Sequence, residues 1–321
     1  MTTYRDSLPQ LDRGPFLTDG GLETTLVFHQ GLDLPCFAAF PLIRDAAGRQ
    51  TLRRYFEPYL DTAREWDLGF VLDTPTWRAN PDWGAKLGYS DIELAAVNRV
   101  SVAWARDLRD EFATAATPIV IDGVIGPRGD GYRADQRMDA EQARRYHEAQ
   151  IAAFRDTDAD MVTAMTITYA EEAIGIARAA AEHGLPAVIS FTVETDGSLP
   201  SGEALGDAID RVDAATGARP AYYMINCAHP THFAEVVAKG GAWTSRLRGI
   251  RANASAKSHA ELDAAEDLDS GDPADLARRY RELLGGLERL AVLGGCCGTD
   301  HRHIQAIRDA CVNPAAGNAP S

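Results

Sequence analysis

The sequence predicts a single-domain (β/α)₈ TIM barrel of the α/β class. Three observations carry this. Short apolar runs alternate along the chain with Ala-, Arg- and Glu-rich amphipathic stretches, the pattern of parallel strands joined by crossover helices. Eight such units can be counted, enough to close a sheet on itself. Polar and glycine-rich clusters follow the apolar runs, as expected if the strand C-termini share one functional face. A doubly wound open sheet alternates in the same way, so closure rests on the count.

The strand readings, in order, are Pro15–Asp19, Gly69–Asp73, Pro118–Gly123, Met161–Thr166, Ala187–Thr192, Tyr222–Asn226, Leu247–Ala252 and Leu290–Leu293. Each follows a helix-like stretch or a Gly/Pro break. The helix readings are Thr51–Trp66, Ile92–Ala113, Ala140–Ala153, Ala170–His183, Gly202–Ala215, His232–Ala238, Pro273–Leu284 and Arg302–Ala310. Several have Asp, Ser or Thr near the first turn, where caps belong. Gly31–Arg49 reads as a long first connection with little periodicity. Residues 1–321 form one domain on this reading, with Asn313–Ser321, rich in Pro, Ala and Gly, as a flexible tail.

Composition narrows the function. Charged residues make up 25% and apolar residues 45% of the 321, ordinary values for a globular protein. The formal net charge of −15 argues against nucleic acid and anionic membranes, which attract basic proteins. The first ten residues contain no apolar core of a signal peptide, and no run is long enough to span a bilayer. The expected location is cytoplasmic. Small molecules are the expected partners; the oligomeric state is left open, a homo-oligomer included. No Rossmann fingerprint is present, and Gly126-Pro127-Arg128-Gly129 lacks the Gly-Lys-Ser/Thr ending of a phosphate loop, so no nucleotide cofactor is expected.

Five cysteines are too few and too scattered for a disulfide scaffold. Three of them fall at strand ends on one face: Cys227 after the sixth strand, Cys296 and Cys297 after the eighth. Adjacent strand residues point to opposite sides, so a Cys-Cys pair can serve one metal only where the backbone turns. Gly294, Gly295 and Gly298 permit such a turn. Three thiolates with one vacant position match a catalytic Zn²⁺ site. With the metal, the site carries a net −1. A substrate thiol entering the vacant position would lose its proton and could attack the methyl group of a cationic donor. Two other readings stand beside this one: three buried cysteines that merely face one another, and a redox pair joined as a Cys296–Cys297 disulfide. Cys36 and Cys311 lack any motif and read as incidental.

These residues resemble the homocysteine S-methyltransferase family. The resemblance runs over most of the chain, through Leu17-Thr18-Asp19-Gly20-Gly21, Ile189-Ser190-Phe191-Thr192-Val193, Ser201-Gly202-Glu203, Asn226-Cys227 and Gly294-Gly295-Cys296-Cys297-Gly298-Thr299. It implies a (β/α)₈ barrel and zinc held by Cys227, Cys296 and Cys297. It further implies an acceptor thiol, homocysteine, an onium donor such as S-methylmethionine, and methionine as product. Asp19 would belong to the amino-acid pocket, with Gly20, Gly21, Thr166 and Asn226 around the substrate.

Two departures bear on the acceptor. The family has a Phe-Glu-Thr run after the fourth strand, whose Glu helps hold the homocysteine ammonium; here the run is Ala164-Met165-Thr166, and Met165 takes the Glu position. A thioether forgoes a charge-assisted hydrogen bond worth about 1.5–3 kcal/mol. Glu23 is a candidate replacement, or simply an acid at a helix start. After the seventh strand, Arg251-Ala252-Asn253 replaces a Tyr-Pro-Asn-like run. Arg251 either meets a substrate carboxylate bidentately or is a solvated strand-end charge. The departures leave room for a different thiol or selenol acceptor. They also leave room for a non-catalytic thiol- or metal-binding partner of a corrinoid system. His229, His232, His301 and His303 follow the cysteine motifs and are expected to support the site or lie at the surface. Trp77 and Tyr169 could face a methyl-onium donor or pack under loops.

Overall fold

In the computed structural model, which describes residues 3–312, eight parallel strands close into a barrel in sequence order. They are β1 (Phe16–Leu17), β2 (Gly69–Asp73), β3 (Ile119–Ile125), β4 (Met161–Ile167), β5 (Ala187–Phe191), β6 (Tyr222–Asn226), β7 (Leu247–Ala252) and β8 (Val292–Gly295). Eight helices cross over outside: α1 (Ala46–Glu65), α2 (Asp91–Phe112), α3 (Ala140–Arg155), α4 (Ala170–Glu182), α5 (Leu205–Thr216), α6 (Pro230–Lys239), α7 (Pro273–Leu284) and α8 (His301–Val312). The tail expected at Asn313–Ser321 lies outside the described residues.

Both faces of every strand are covered, which is why the strands read as continuous apolar runs. One face packs on the helices. The other fills the barrel in layers, because alternate residues point inward. The lower interior holds Phe16, Val71, Val120, Met161, Val188, Tyr222, Met224 and Val292. The segment before β1 plugs this end. Leu8 joins the interior cluster, and Gln10 Nε2 donates to the Tyr222 hydroxyl at 3.3 Å. The upper interior is polar. Asp73 stands beside Asp122 in the β2–β3 register, and Asn226 beside Arg251 in β6–β7.

Three of the differences from expectation have local reasons. The first crossover helix begins at Ala46, not Thr51, because the Asp45 side chain caps it, accepting from Gly48 N at 2.7 Å. The Gly31–Arg49 connection is not featureless: it holds 3₁₀ turns at Pro35–Phe37 and Phe40–Arg44. The eighth strand is shifted two residues toward the glycines, since Gly294 and Gly295 pair with Arg251 and Ala252 of β7. A Cβ at Gly294 would collide with the Thr18 hydroxyl, so only glycine lets β8 lie this close to the end of β1.

Candidate active site

The C-terminal ends of the strands surround a cavity of about 430 Å³. Two of its walls are held in left-handed backbone conformations that non-glycine residues seldom adopt: Thr166 (φ 63°) at the end of β4 and Cys227 (φ 53°) after β6. Each costs about 1–3 kcal/mol and persists only where surroundings enforce it. Asn226 is the enforcer here. Its Oδ1 accepts from Thr166 N at 2.9 Å and Ser190 Oγ at 2.6 Å. Its Nδ2 donates to Thr166 Oγ1 at 2.9 Å and approaches Cys296 Sγ at 3.9 Å. Asn226 and Thr166 therefore form one clamp that fixes the loop carrying Cys227.

The Cys227 carbonyl is gripped from three sides. Asn253 Nδ2 lies at 3.0 Å, His259 Nε2 at 2.9 Å and Thr192 Oγ1 at 3.3 Å. The Cys296–Cys297 turn is held by Cys296 N to Ala252 O at 2.8 Å and Ala254 N to Cys297 O at 3.0 Å. Thr299 Oγ1 donates to Cys296 O at 2.7 Å. Tyr132 approaches Cys297 Sγ with its hydroxyl at 3.7 Å, and its ring stacks on His259 at 4.1 Å. Tyr132 and His259 were not singled out in the sequence. The Ser258-His259-Ala260-Glu261 capping box marked only a helix start, and nothing tied Tyr132 to a cysteine some 165 positions away.

The three sulfurs of Cys227, Cys296 and Cys297 lie within 4.8 Å of one another. Cys227 and Cys296 are joined as a disulfide, with Cα atoms 5.4 Å apart, and Cys297 keeps a free thiol. The alternative reading of a Cys296–Cys297 disulfide is thus corrected: Cys296 faces Cys227 across the barrel mouth, and its sequence neighbour faces Tyr132. Burial pushes the Cys297 thiol up to about 11, with Tyr132 opposing. When reduced, the trio suits zinc, whose four-coordinate sites hold sulfurs at about 2.3 Å from the metal and about 3.8 Å from each other.

A family model described as Homocysteine S-methyltransferase matches residues 16–311. The chain belongs to this family. Among solved structures, it is similar to the oxidized form of the homocysteine methyltransferase MmuM from Escherichia coli, at 22% identity and a TM-score of 0.74, covering 92% of this chain and 96% of that one. The metallated form of MmuM matches at 20% identity and a TM-score of 0.69, covering 92% and 96%. These likenesses bear on the fold. Among curated proteins, none matches the chain.

Within this family member the DGG segment does structural work. Gly20 and Gly21 line the cavity. A Cβ on Gly20 would sit 2.7 Å from Thr299 O, and one on Gly21 2.7 Å from Cys296 O. The glycines thus let the β1 loop touch the cysteine turn. Asp19 is buried with both oxygens engaged: Oδ2 accepts from Tyr55 Oη at 2.9 Å and Oδ1 from Arg251 Nη2 at 2.6 Å. Burial lifts its carboxyl to about 6 against the pull of Arg251.

The solvated reading of Arg251 is corrected. It is buried in the cavity wall, paired to Asp19 and Asp73, and donates Nε to Gly295 O at 3.0 Å. The polar interior seen only in three dimensions captures it. Asp122 stands next to Asp73 in this layer, and burial together with Asp73 raises its carboxyl well above the usual range. For Tyr169 the packing reading holds: it is buried, its hydroxyl accepts from Met138 N at 3.0 Å, and it lies outside the cavity lining. Trp77 does line the cavity, with Nε1 toward Met165 O at 3.4 Å. Met165 lines it too. The four histidines stay out of the lining: His229 caps α6, His232 and His303 bond to the carbonyls of Ala256 and Ser270, and His301 is exposed.

Glu23, in the short helix Leu22–Thr24, is half-buried in the cavity wall. Burial pushes its carboxyl up to about 7, and Asp19 adds to the rise. An acid raised on folding favours the folded state while protonated. That contribution is whole below the unfolded value of about 4.5 and is lost as pH climbs through 7. Glu23→Gln protein, reduced and metal-free, should therefore lose less stability than the parent between about pH 5 and pH 8. Urea midpoints at the two pH values measure this; parallel declines would refute it.

Proposed function

We propose that the chain moves a methyl group from an onium donor, such as S-methylmethionine, to the thiol of homocysteine, using zinc held by Cys227, Cys296 and Cys297. The observation that carries this reading is the convergence of three sulfurs at the mouth of a substrate-sized cavity. When bound there, zinc would let a coordinated thiol exist as thiolate at neutral pH. The chain's residues do the rest. The Asn226–Thr166 clamp and the grip on the Cys227 carbonyl fix the sulfurs in place. Trp77 and Tyr132 line the cavity, where an aromatic wall favours a cationic donor. Asp130, Asp263 and Asp267 at the rim make the approach negative. The acceptor sulfur forms a bond to the methyl carbon while the donor's onium–carbon bond breaks. The electron pair leaves with the donor, which becomes neutral. The thiol proton goes to solvent.

The zinc reading needs all three cysteines reduced, which suits a reducing compartment, and we place the protein in the cytoplasm. Among the described residues no helix is long and apolar enough to cross a membrane. The test is turnover of S-methylmethionine plus homocysteine by reduced, zinc-supplied protein with no added corrinoid protein. Methionine formation is the expected result. Activity only with a corrinoid partner, or none with any onium donor, overturns the reading.

The acceptor pocket yields a second expectation. Met165→Glu should strengthen homocysteine binding by about 10-fold or more, since it restores a carboxylate for the ammonium. KM for homocysteine measures it, and an unchanged or higher KM would show that position 165 does not meet the amino group.

A further inference from the structure

The cavity contains a cation that the reading above does not use. Arg78 follows β2, lines the cavity and is 8% exposed. Its guanidinium lies over the Trp77 ring at 4.3 Å and the Trp83 ring at 3.6 Å. Rings satisfy the faces of a guanidinium but not its five in-plane donors. Among the described residues its one hydrogen bond runs from Nη1 to Gly129 O, at 3.5 Å, and the buried Nε has no partner. Asp130 and Glu23 act on it only through space. A buried guanidinium without a carboxylate partner is costly, and the ordinary remedy is a bidentate anion.

Of the carboxylates that line the cavity, the two buried ones are already answered. Asp19 already answers Arg251, and Asp73 does too. Position 165, which would supply a second acid, is a thioether. The Trp77 indole joins Arg78 to this wall, stacking on one and reaching the Met165 carbonyl with its N–H. The wall ends at Thr166, whose Oγ1 is 3.9 Å from Cys227 Sγ.

We infer that Arg78 binds the carboxylate of the acceptor thiol, and that this pocket selects thiols by their carboxylate and not by an α-ammonium. The acceptor class is then mercapto-carboxylic acids, homocysteine among them and its des-amino counterpart equally. This rests on the acceptor-thiol reading given above.

Calorimetry on reduced, zinc-supplied protein tests it with three ligands: homocysteine, 4-mercaptobutanoate, which lacks the amino group, and 4-mercaptobutanamide, which lacks the charge. The butanoate should bind as tightly as homocysteine, within about threefold, and about 10- to 100-fold more tightly than the amide. Arg78→Gln should abolish the preference for butanoate over amide and leave amide binding unchanged. Arg78→Lys should restore part of the preference. Equal weakening of all three ligands in Arg78→Gln would make the residue merely structural and overturn the inference. So would a wild-type protein that ignores the carboxylate, or one that needs the amino group. Unchanged acceptor binding with a raised KM for S-methylmethionine would assign Arg78 to the donor's carboxylate and equally overturn it. Turnover is read separately. If binding follows expectation and no methyl transfer occurs, the zinc methyl-transfer reading falls and the Arg78 assignment stands.

Discussion

Cys297→Ser protein should purify without zinc and should transfer no methyl groups, while its melting temperature in reduced, metal-free form stays close to that of the parent. The asymmetry follows from position. Cys297 sits at the rim, on a turn held by backbone bonds from its carbonyl and from Cys296, not by its sulfur. Removing the sulfur leaves two donors where a catalytic zinc site needs three from the protein. Loss of an outer partner of a metal ligand costs 10- to 100-fold in affinity or activity, so loss of a ligand itself should exceed about 100-fold. Metal analysis and an assay on the same preparation check this. Turnover that persists with the metal gone would defeat the mechanism.

Arg251→Leu should be the most damaging single change to stability. Arg251 neutralises two buried carboxylates, Asp19 and Asp73, and ties β7 to the ends of β1, β2 and β8. Removing one side of a buried ion pair leaves the other charged and dry, at a cost of about 3–5 kcal/mol. For a domain of this size, that corresponds to a melting temperature lower by about 10 °C. The triple variant Arg251→Leu, Asp19→Asn, Asp73→Asn should recover much of the loss, because no unpaired charge remains. Thermal melts of the two proteins decide it. A single variant as stable as the parent would show that water reaches the carboxylates.

What the sequence disclosed follows from what was being read. β2, β6 and β7 match their readings end to end, because each begins after a turn and ends on a polar or small residue, Asp73, Asn226 or Ala252, that marks the strand limit in the sequence. β8 does not, since its last two residues are glycines that carry no hydropathy signal and extend only because β7 pairs with them. The three cysteines were legible as a group through their glycine neighbours. Arg251 was not: an arginine at a strand end looks solvated until the Asp19 and Asp73 chains turn out to share its interior layer. Arg78 raised no notice for the opposite reason, since its significance lies in partners it lacks, and no local pattern encodes an absence.

The placement of the sulfurs also has a consequence for how the protein is made. Cys227 and Cys296 are separated by 69 positions. At a synthesis rate of about 5–20 residues per second, Cys227 leaves the ribosome roughly 3–14 s before its partner. The loop that brings Cys296 and Cys297 also carries the seam of the barrel, where Gly295 N meets Asp19 O and Gly21 N meets Thr299 O. A nascent chain therefore holds Cys227 without its two partners until β8 docks on β1, and the step that closes the barrel is the same step that brings the three sulfurs together. Zinc uptake during translation would thus be a clock for completion of the fold.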